Sequence, residues 1–348
     1  MNKIFRIVDV NFNRAREGLR VLEETIRFIY NKEDVLRKIR DIRHKLSTKI
    51  LYYFPSEKLK SQRDTKTDFG KRFNEKQKLN LKEIIETNFF RVEESMRVLE
   101  EYSKVIKPEL SSIFHQLRFE IYEIEKEVIT KIHRKKIKPP SLYVILNLKE
   151  NEKEFLKFSE SVIKEKPDLI QLRYKGENIK FFLKMAKYLK KIIPDEIIYI
   201  INDRVDISIL CESDGLHIGQ NDLEVEEVRK IIPEKIIGVS TSKILDVKKL
   251  KNKDIDYVAI GSIFKSKTKP EKKPIGSGIF KELKKYITIP IIGIGGINIE
   301  NAKEVIEKGA DGIAVINVVE SSNRPEEVIK KLKEEIKKGW NQRIKRGI

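Results

Sequence analysis

The chain predicts an α/β fold, a (β/α)8 TIM barrel, preceded by an all-α domain built from an internal duplication. Three observations carry this prediction. Beyond residue 140, short β-branched apolar runs alternate with amphipathic stretches eight times. Those runs end in polar and glycine-rich segments. Before residue 131 the pattern is helical, and the 14 residues from Asn11 recur at an offset of 77. At 348 residues the chain exceeds the size at which one core keeps growing, so more than one domain is expected. The divisions are a helical domain at 1–130, a basic linker at 131–140 closing on Pro139-Pro140, and a barrel at 141–340.

Composition narrows the function classes. The formal net charge of +19 invites a nucleic-acid reading, but 33 basic and 22 acidic residues lie in 1–138, against 40 and 32 in 139–348. The excess is spread along both halves and consists mostly of Lys mixed with Glu, a solvated surface with no nucleic-acid footprint. No apolar run approaches the roughly 20 residues of a membrane-spanning helix. With no signal-peptide pattern and Cys211 as the single cysteine, a cytoplasmic protein without an intrachain disulfide is expected. A homo-oligomer remains open.

In the first domain, NFNRAREGLRVLEE (11–24) returns as NFFRVEESMRVLEE (88–101), identical at nine of fourteen positions. A duplication of this kind predicts two similar helical units related by a pseudo-two-fold axis. Phe12, Ala15, Leu19, Leu22, Ile26 and Ile29 follow helical spacing as the buried stripe. Arg14, Glu17, Arg20 and Glu24 lie on another face, as do Arg91, Glu94, Arg97 and Glu101. Self-supporting ion pairs one turn apart explain such a face, and a duplicated polar site explains why the same residues recur. Arg43, His44, Arg63, Asp64, Asp68, His115 and Arg118 are further candidates. Residues 1–138 contain no phosphate loop of the P-loop type.

In the second domain the expected strands are 142–147, 169–173, 197–202, 215–218, 236–240, 257–261, 290–295 and 312–317. They are continuous apolar runs, as parallel strands covered on both faces require. Stretches such as 151–165, 178–191 and 299–308 supply the intervening helices. Chemistry in such a barrel belongs at the carboxyl ends of the strands.

Those ends are informative. After strand 2, Gln171, Arg173 and Lys175 alternate towards the mouth, where two cations call for an anion or an internal salt bridge. Asp203 and Asp222 close strands 3 and 4. Together they suit Mg²⁺, which takes one or two carboxylates plus phosphate and water, although both are equally placed to begin helices. Ser240 ends strand 5. The loop 261–278 is long, polar and bounded by Gly and Pro, as a lid or a solvated loop would be. Gly293, Gly295 and Gly296 follow strand 7, where backbone amides can approach a phosphate or simply turn tightly. Two anion corners and a metal suggest the joining of two phosphorylated molecules with loss of pyrophosphate.

The ordered set QLRYKG (171–176), IND (201–203), DGLHIGQND (214–222), GVS (238–240), SKTK (266–269) and GIGG (293–296) resembles the thiamine-phosphate synthase family over residues 140–338. That resemblance implies a transferase that joins 4-amino-5-hydroxymethyl-2-methylpyrimidine diphosphate to 4-methyl-5-(2-phosphoethyl)thiazole, with Mg²⁺ as cofactor. It implies that Gln171 and Ser240 hold the pyrimidine, while Arg173, Lys175, Asn202 and Lys269 bind the diphosphate. Asp203 and Asp222 would bind the metal, and Ser266, Thr268 and Gly296 the thiazole phosphate. Arg173, Lys175 and Lys269 would act in catalysis. Ser262, Ser266 and Asn317 stand where the family often has proline, threonine and serine. The alternatives are another phosphate-binding barrel enzyme or a thiazole tautomerase-like protein, the latter disfavoured by the diphosphate set. Residues 4–130 resemble a helical domain found fused to these synthases and associated with pyrimidine-phosphate kinase activity; a non-catalytic dimerisation or regulatory module is the other reading.

Overall fold

The computed structural model describes residues 2–30, 33–61, 80–132, 134–266 and 273–347. It divides into two compact units, Met1–Ile132 and His133–Ile348.

The first unit is all-helical: α1 (Asn2–Thr25, continued by a π-helical turn Ile26–Tyr30), α2 (Glu33–Tyr53), α3 (Ser56–Lys60), α4 (Leu81–Ile106) and α5 (Pro108–Ile132). The Asn80 side chain caps α4 by accepting from the Glu83 amide. Pro108, which has no amide to donate, opens α5 directly after α4 ends. The copies pack as the duplication predicts, α1 on α4 and α2 on α5. At the α1–α4 crossing a Cβ on Gly18 would lie 2.8 Å from Val92 Cγ2, so only glycine permits this approach. The expected stripe is buried from Phe12 to Ile26, but Ile29 is exposed. Ile29 lies in the π-helical turn, whose wider i→i+5 spacing rotates it off the stripe.

The second unit is a closed barrel of eight parallel strands in chain order. They are β1 (Ser141–Asn147), β2 (Leu169–Arg173), β3 (Ile198–Asn202), β4 (Gly215–Ile218), β5 (Ile236–Thr241), β6 (Tyr257–Ile260), β7 (Ile291–Ile294) and β8 (Gly312–Val315). Alternate side chains fill the interior, among them Tyr143, Ile145, Leu169, Ile198, Ile200, Tyr257 and Ile292, while the others pack outward in a second apolar layer. β8 ends two residues before the expected Asn317, which instead opens a short helix, Asn317–Glu320. Within the basic stretch before β1, Arg134 binds Asp254 at 2.8 and 2.9 Å and Ile137 joins the barrel interior.

An alternating pattern holds the amino-terminal rim. Asp168, Asp214, Asp256 and Asp311 each immediately precede an even-numbered strand. Each accepts a hydrogen bond from an amide of the preceding odd strand: Leu142, Tyr199, Ile237 and Ile291, at 2.8, 2.8, 2.8 and 2.9 Å. Cations neutralise three of them, Lys135 beside Asp214, Arg229 beside Asp256, and Lys284 with Arg343 beside Asp311. Chemistry is thereby left to the opposite rim.

Candidate active site

β2 delivers Leu169, Gln171 and Arg173 on its inner side, while Ile170 and Leu172 face the outer layer. Gln171 is buried, and Arg173 donates from Nη1 to Asn147 Oδ1 on β1 at 3.0 Å. Asn147 in turn donates to Glu320, which also pairs with Lys149. Two residues beyond β2, the exposed Lys175 pairs with Asp203 at 2.5 Å. One of the two expected cations is thus already opposite a carboxylate.

The two carboxylates placed at the ends of strands 3 and 4 do meet. Asp203 sits at φ +62, a conformation open to Asp and Asn but strained for most side chains, and its amide donates to the His217 carbonyl on β4. Asp222 accepts from the Gly219 amide at 2.6 Å. Burial raises the Asp222 pKa above the ordinary carboxylate value, and a hydrogen bond shared with Asp203 raises it further, while the Gly219 amide and Lys175 oppose. Neither carboxylate caps a helix. The helices that follow, Val205–Leu210 and Val225–Ile231, have Arg204 and Glu224 at their N-caps without side-chain bonds. The helix-start reading is therefore set aside.

Asn202 is buried at the end of β3, and Ser240 lies half-buried on β5 near Gly219. Gly295 and Gly296 have φ of +95 and +70, so their backbone turns through a region that most side chains avoid. A Cβ on Gly296 would strike the Lys265 carbonyl at 2.5 Å, bringing the β7 and β6 loops into close approach. The base of the expected lid is laddered: the Ile263 and Phe264 amides donate to Ile294 and Gly295, and the Ile275 amide donates to Ser262. Ser266 is buried at its edge. Thr268 and Lys269 lie outside the described residues, as do Arg63, Asp64 and Asp68.

Sequence reasoning missed the barrel's polar interior. Gln171 Nε2 donates to Tyr143 Oη at 2.7 Å, Tyr143 and Tyr257 hydroxyls are 2.9 Å apart, and Tyr257 Oη lies 2.8 Å from His217 Nδ1. The signal was present. Tyr143, Gln171, His217 and Tyr257 are polar interruptions in otherwise apolar strands. Gly238 had a reason of its own, since a Cβ there would overlap the Tyr257 ring at 1.9 Å.

In the helical unit the predicted pairs form, Arg20 with Glu24 and Arg97 with Glu101. Arg14, Glu17, Glu94 and His44 are exposed, and Arg91 is half-buried. The central carboxylates, however, are one residue earlier. Glu23 is held by Arg40 at 2.7 Å, Arg43 at 2.9 Å and Arg20 at 3.5 Å. Glu100 is held by Arg118 at 3.0 Å, with His115 and Arg97 both at 3.2 Å. Helical spacing points to them, because Leu19, Leu22, Glu23 and Ile26 share the buried stripe. Burial pushes both carboxyls up, but their cationic partners outweigh it and hold both pKa values below the ordinary one.

Comparison with known proteins agrees with this layout. The model of the thiamine monophosphate synthase family matches residues 142–319, and that of the ThiD2 family matches residues 6–127. A thiamine-phosphate synthase of Prochlorococcus marinus (strain AS9601) is 35% identical over 334 residues, covering 93% of each chain. One from Synechocystis is 32% identical over 327 residues, covering 92% of this chain and 93% of its own. The solved thiamine phosphate pyrophosphorylase from Pyrococcus furiosus superposes with a TM-score of 0.53 at 27% identity, covering 57% of this chain and 96% of its own. With its closed barrel, its paired mouth carboxylates and relatives matched over almost its whole length, the chain belongs to the thiamine monophosphate synthase family.

Proposed function

We propose that the barrel joins 4-amino-5-hydroxymethyl-2-methylpyrimidine diphosphate to 4-methyl-5-(2-phosphoethyl)thiazole, forming thiamine phosphate and pyrophosphate. The observation that carries this reading is one mouth where Lys175 pairs with Asp203, Asp203 adjoins Asp222, and Arg173 rises from the end of the neighbouring β2. Two carboxylates forced to share a site resist ionisation, and a divalent cation relieves that repulsion. Hard oxygen donors of this kind fit Mg²⁺, so Asp203 and Asp222 are the residues that would hold it. When bound, it supplies positive charge for the departing diphosphate.

In this reading Gln171 and Ser240 orient the pyrimidine. Arg173, Lys175, Asn202 and Lys269 bind the diphosphate, and Arg173, Lys175 and Lys269 act in catalysis. The bond between the pyrimidinylmethyl carbon and the diphosphate oxygen breaks, and its electron pair leaves with pyrophosphate. The thiazole nitrogen then donates its lone pair to the resulting cation. Negative charge grows on the leaving oxygens, so fixed cations favour the transition state over the ground state. Ser266, Thr268 and Gly296 hold the thiazole phosphate at the separate β6–β7 corner.

Asp203→Asn is the informative variant, because Asn tolerates the positive φ that Ala does not. Pyrophosphate release that needs Mg²⁺ and both substrates should fall by about 10²-fold or more in this variant without loss of the barrel fold. Turnover near wild type would remove the carboxylate assignment.

For the helical unit, the match to a second family over residues 6–127 favours a further activity, phosphorylation of the pyrimidine monophosphate to the barrel's diphosphate substrate. The full chain given ATP, the pyrimidine monophosphate and the thiazole phosphate should then make thiamine phosphate without added diphosphate. If product forms only when the diphosphate is supplied, the unit is not such a kinase.

A further inference from the structure

The hydrogen-bond chain inside the barrel has a direction, and the direction has a consequence at the mouth. Its four members, Gln171, Tyr143, Tyr257 and His217, are all buried. Burial raises both phenol pKa values above the ordinary value, so each hydroxyl keeps one proton and can donate once. Gln171 Nε2 donates to Tyr143 Oη. With the amide in this orientation, the Tyr143 proton goes to Tyr257 Oη and the Tyr257 proton to His217 Nδ1. A chain that runs this way ends on an acceptor, so the ring proton of neutral His217 is on Nε2.

The reverse chain is equally complete but demands the opposite at both ends. His217 would donate from Nδ1, and Gln171 would have to present Oε1 to Tyr143. The histidine tautomer and the orientation of the Gln171 amide are thus one variable.

We propose that Tyr143, Tyr257 and His217 are positioning residues that lock the Gln171 amide with its NH₂ turned into the barrel, leaving Oε1 as the group available to the substrate ring. An acceptor there selects a ring with a hydrogen-bond donor, such as the 4-amino group, over one whose donor–acceptor pattern is inverted. This rests on the reading of Gln171 as a pyrimidine-binding residue and deepens it. The space left by Gly238 for the Tyr257 ring suits a built network, since the missing Cβ is what lets the phenol reach both neighbours.

The test compares kcat/KM of the full chain for the 4-amino pyrimidine diphosphate and for its 4-oxo analogue. Wild type should prefer the amino form by about 100-fold or more, because a site built for one polar pattern leaves groups unpaired with the other. Tyr143→Phe and Tyr257→Phe each remove one hydroxyl at nearly constant volume. In either variant the preference should shrink by about tenfold while KM for the thiazole phosphate stays unchanged. Nitrogen-15 NMR, with the His217 signal assigned by its loss in His217→Asn, should show Nε2–H and an unprotonated Nδ1.

No preference in the wild type would overturn the pyrimidine reading of Gln171. A wild-type preference that persists in full in either folded Phe variant would overturn only the positioning role. An Nδ1–H tautomer would also overturn it, and that readout does not depend on either variant folding.

Discussion

Glu23 and Glu100 show what a single buried charge demands of its surroundings. Each is almost fully shielded from water and stays ionised because three partners from two helices converge on it. Glu23→Gln would take from Arg40 and Arg43 the carboxylate that holds them, Arg20 retaining Glu24, and because these guanidinium groups are partly exposed the loss is about 1–2 kcal/mol. Chemical unfolding of the full chain, followed through the helical signal, would measure that loss. Because the Glu23 pKa is depressed, its contribution is complete above the unfolded value of 4.5 and disappears as pH falls through the folded value. Glu93 behaves in the opposite sense. Burial and the neighbouring Glu125 push its pKa up to about 8, so stability is lost as pH rises from 4.5 to that value. Glu93→Gln should therefore raise the melting temperature above pH 8 and leave it unchanged below pH 4.5. Solvent screening limits the gain to roughly 1 kcal/mol. A variant that melts lower than wild type at high pH would show that the ionised pair is not the source of the cost.

Among the elements, the strands were the most legible part, because buried parallel strands must be apolar on both faces and the chain shows eight such runs. Their ends were legible to within one residue, except at β8, which stops two residues short where Asn317 opens a helix. The Asp222–Asp203 pairing followed from adjacent strand ends, but only the backbone showed that neither residue caps a helix. The rim aspartates went unread, although an Asp stands immediately before each of β2, β4, β6 and β8. They look like ordinary turn residues until the neighbouring strand is known. Asp311 is the most enclosed of the set, with the Ile291 amide, Lys284 and Arg343 around it. Asp311→Ala should destabilise the barrel by about 3–5 kcal/mol, since it removes the buried carboxylate that Lys284, Arg343 and the Ile291 amide share. Folded enzyme at low temperature should keep its KM values, because the residue lies on the rim away from the mouth. A raised KM at full stability would contradict that placement.

At the scale of the whole molecule, the duplication in the sequence became a duplication in space, with α1 on α4 and α2 on α5. Its symmetry was legible because identical residues recur at a fixed offset. Its centre was not, because the face with the most repeated charge was the solvated one, and the buried Glu of each repeat looked like part of the same run. Each carboxylate draws two of its three partners from the next long helix in its own copy, Arg40 and Arg43 in α2, His115 and Arg118 in α5. The networks around Glu23 and Glu100 therefore close inside each helical hairpin, whereas between the hairpins α1 and α4 cross at the small Gly18 beside Val92 and α2 and α5 are joined by the pairs Lys38–Glu127 and Lys45–Glu120. A hairpin that satisfies its own buried carboxylate yet bares an apolar face needs the other hairpin, and the two are not interchangeable, because Ser95 stands in the second copy where Gly18 stands in the first. Gly18→Ser in the full chain should therefore cost about 1–3 kcal/mol, since the added side chain must enter a filled crossing. Chemical unfolding followed through the helical signal would measure that loss, and wild-type stability would mean that the crossing has room to spare.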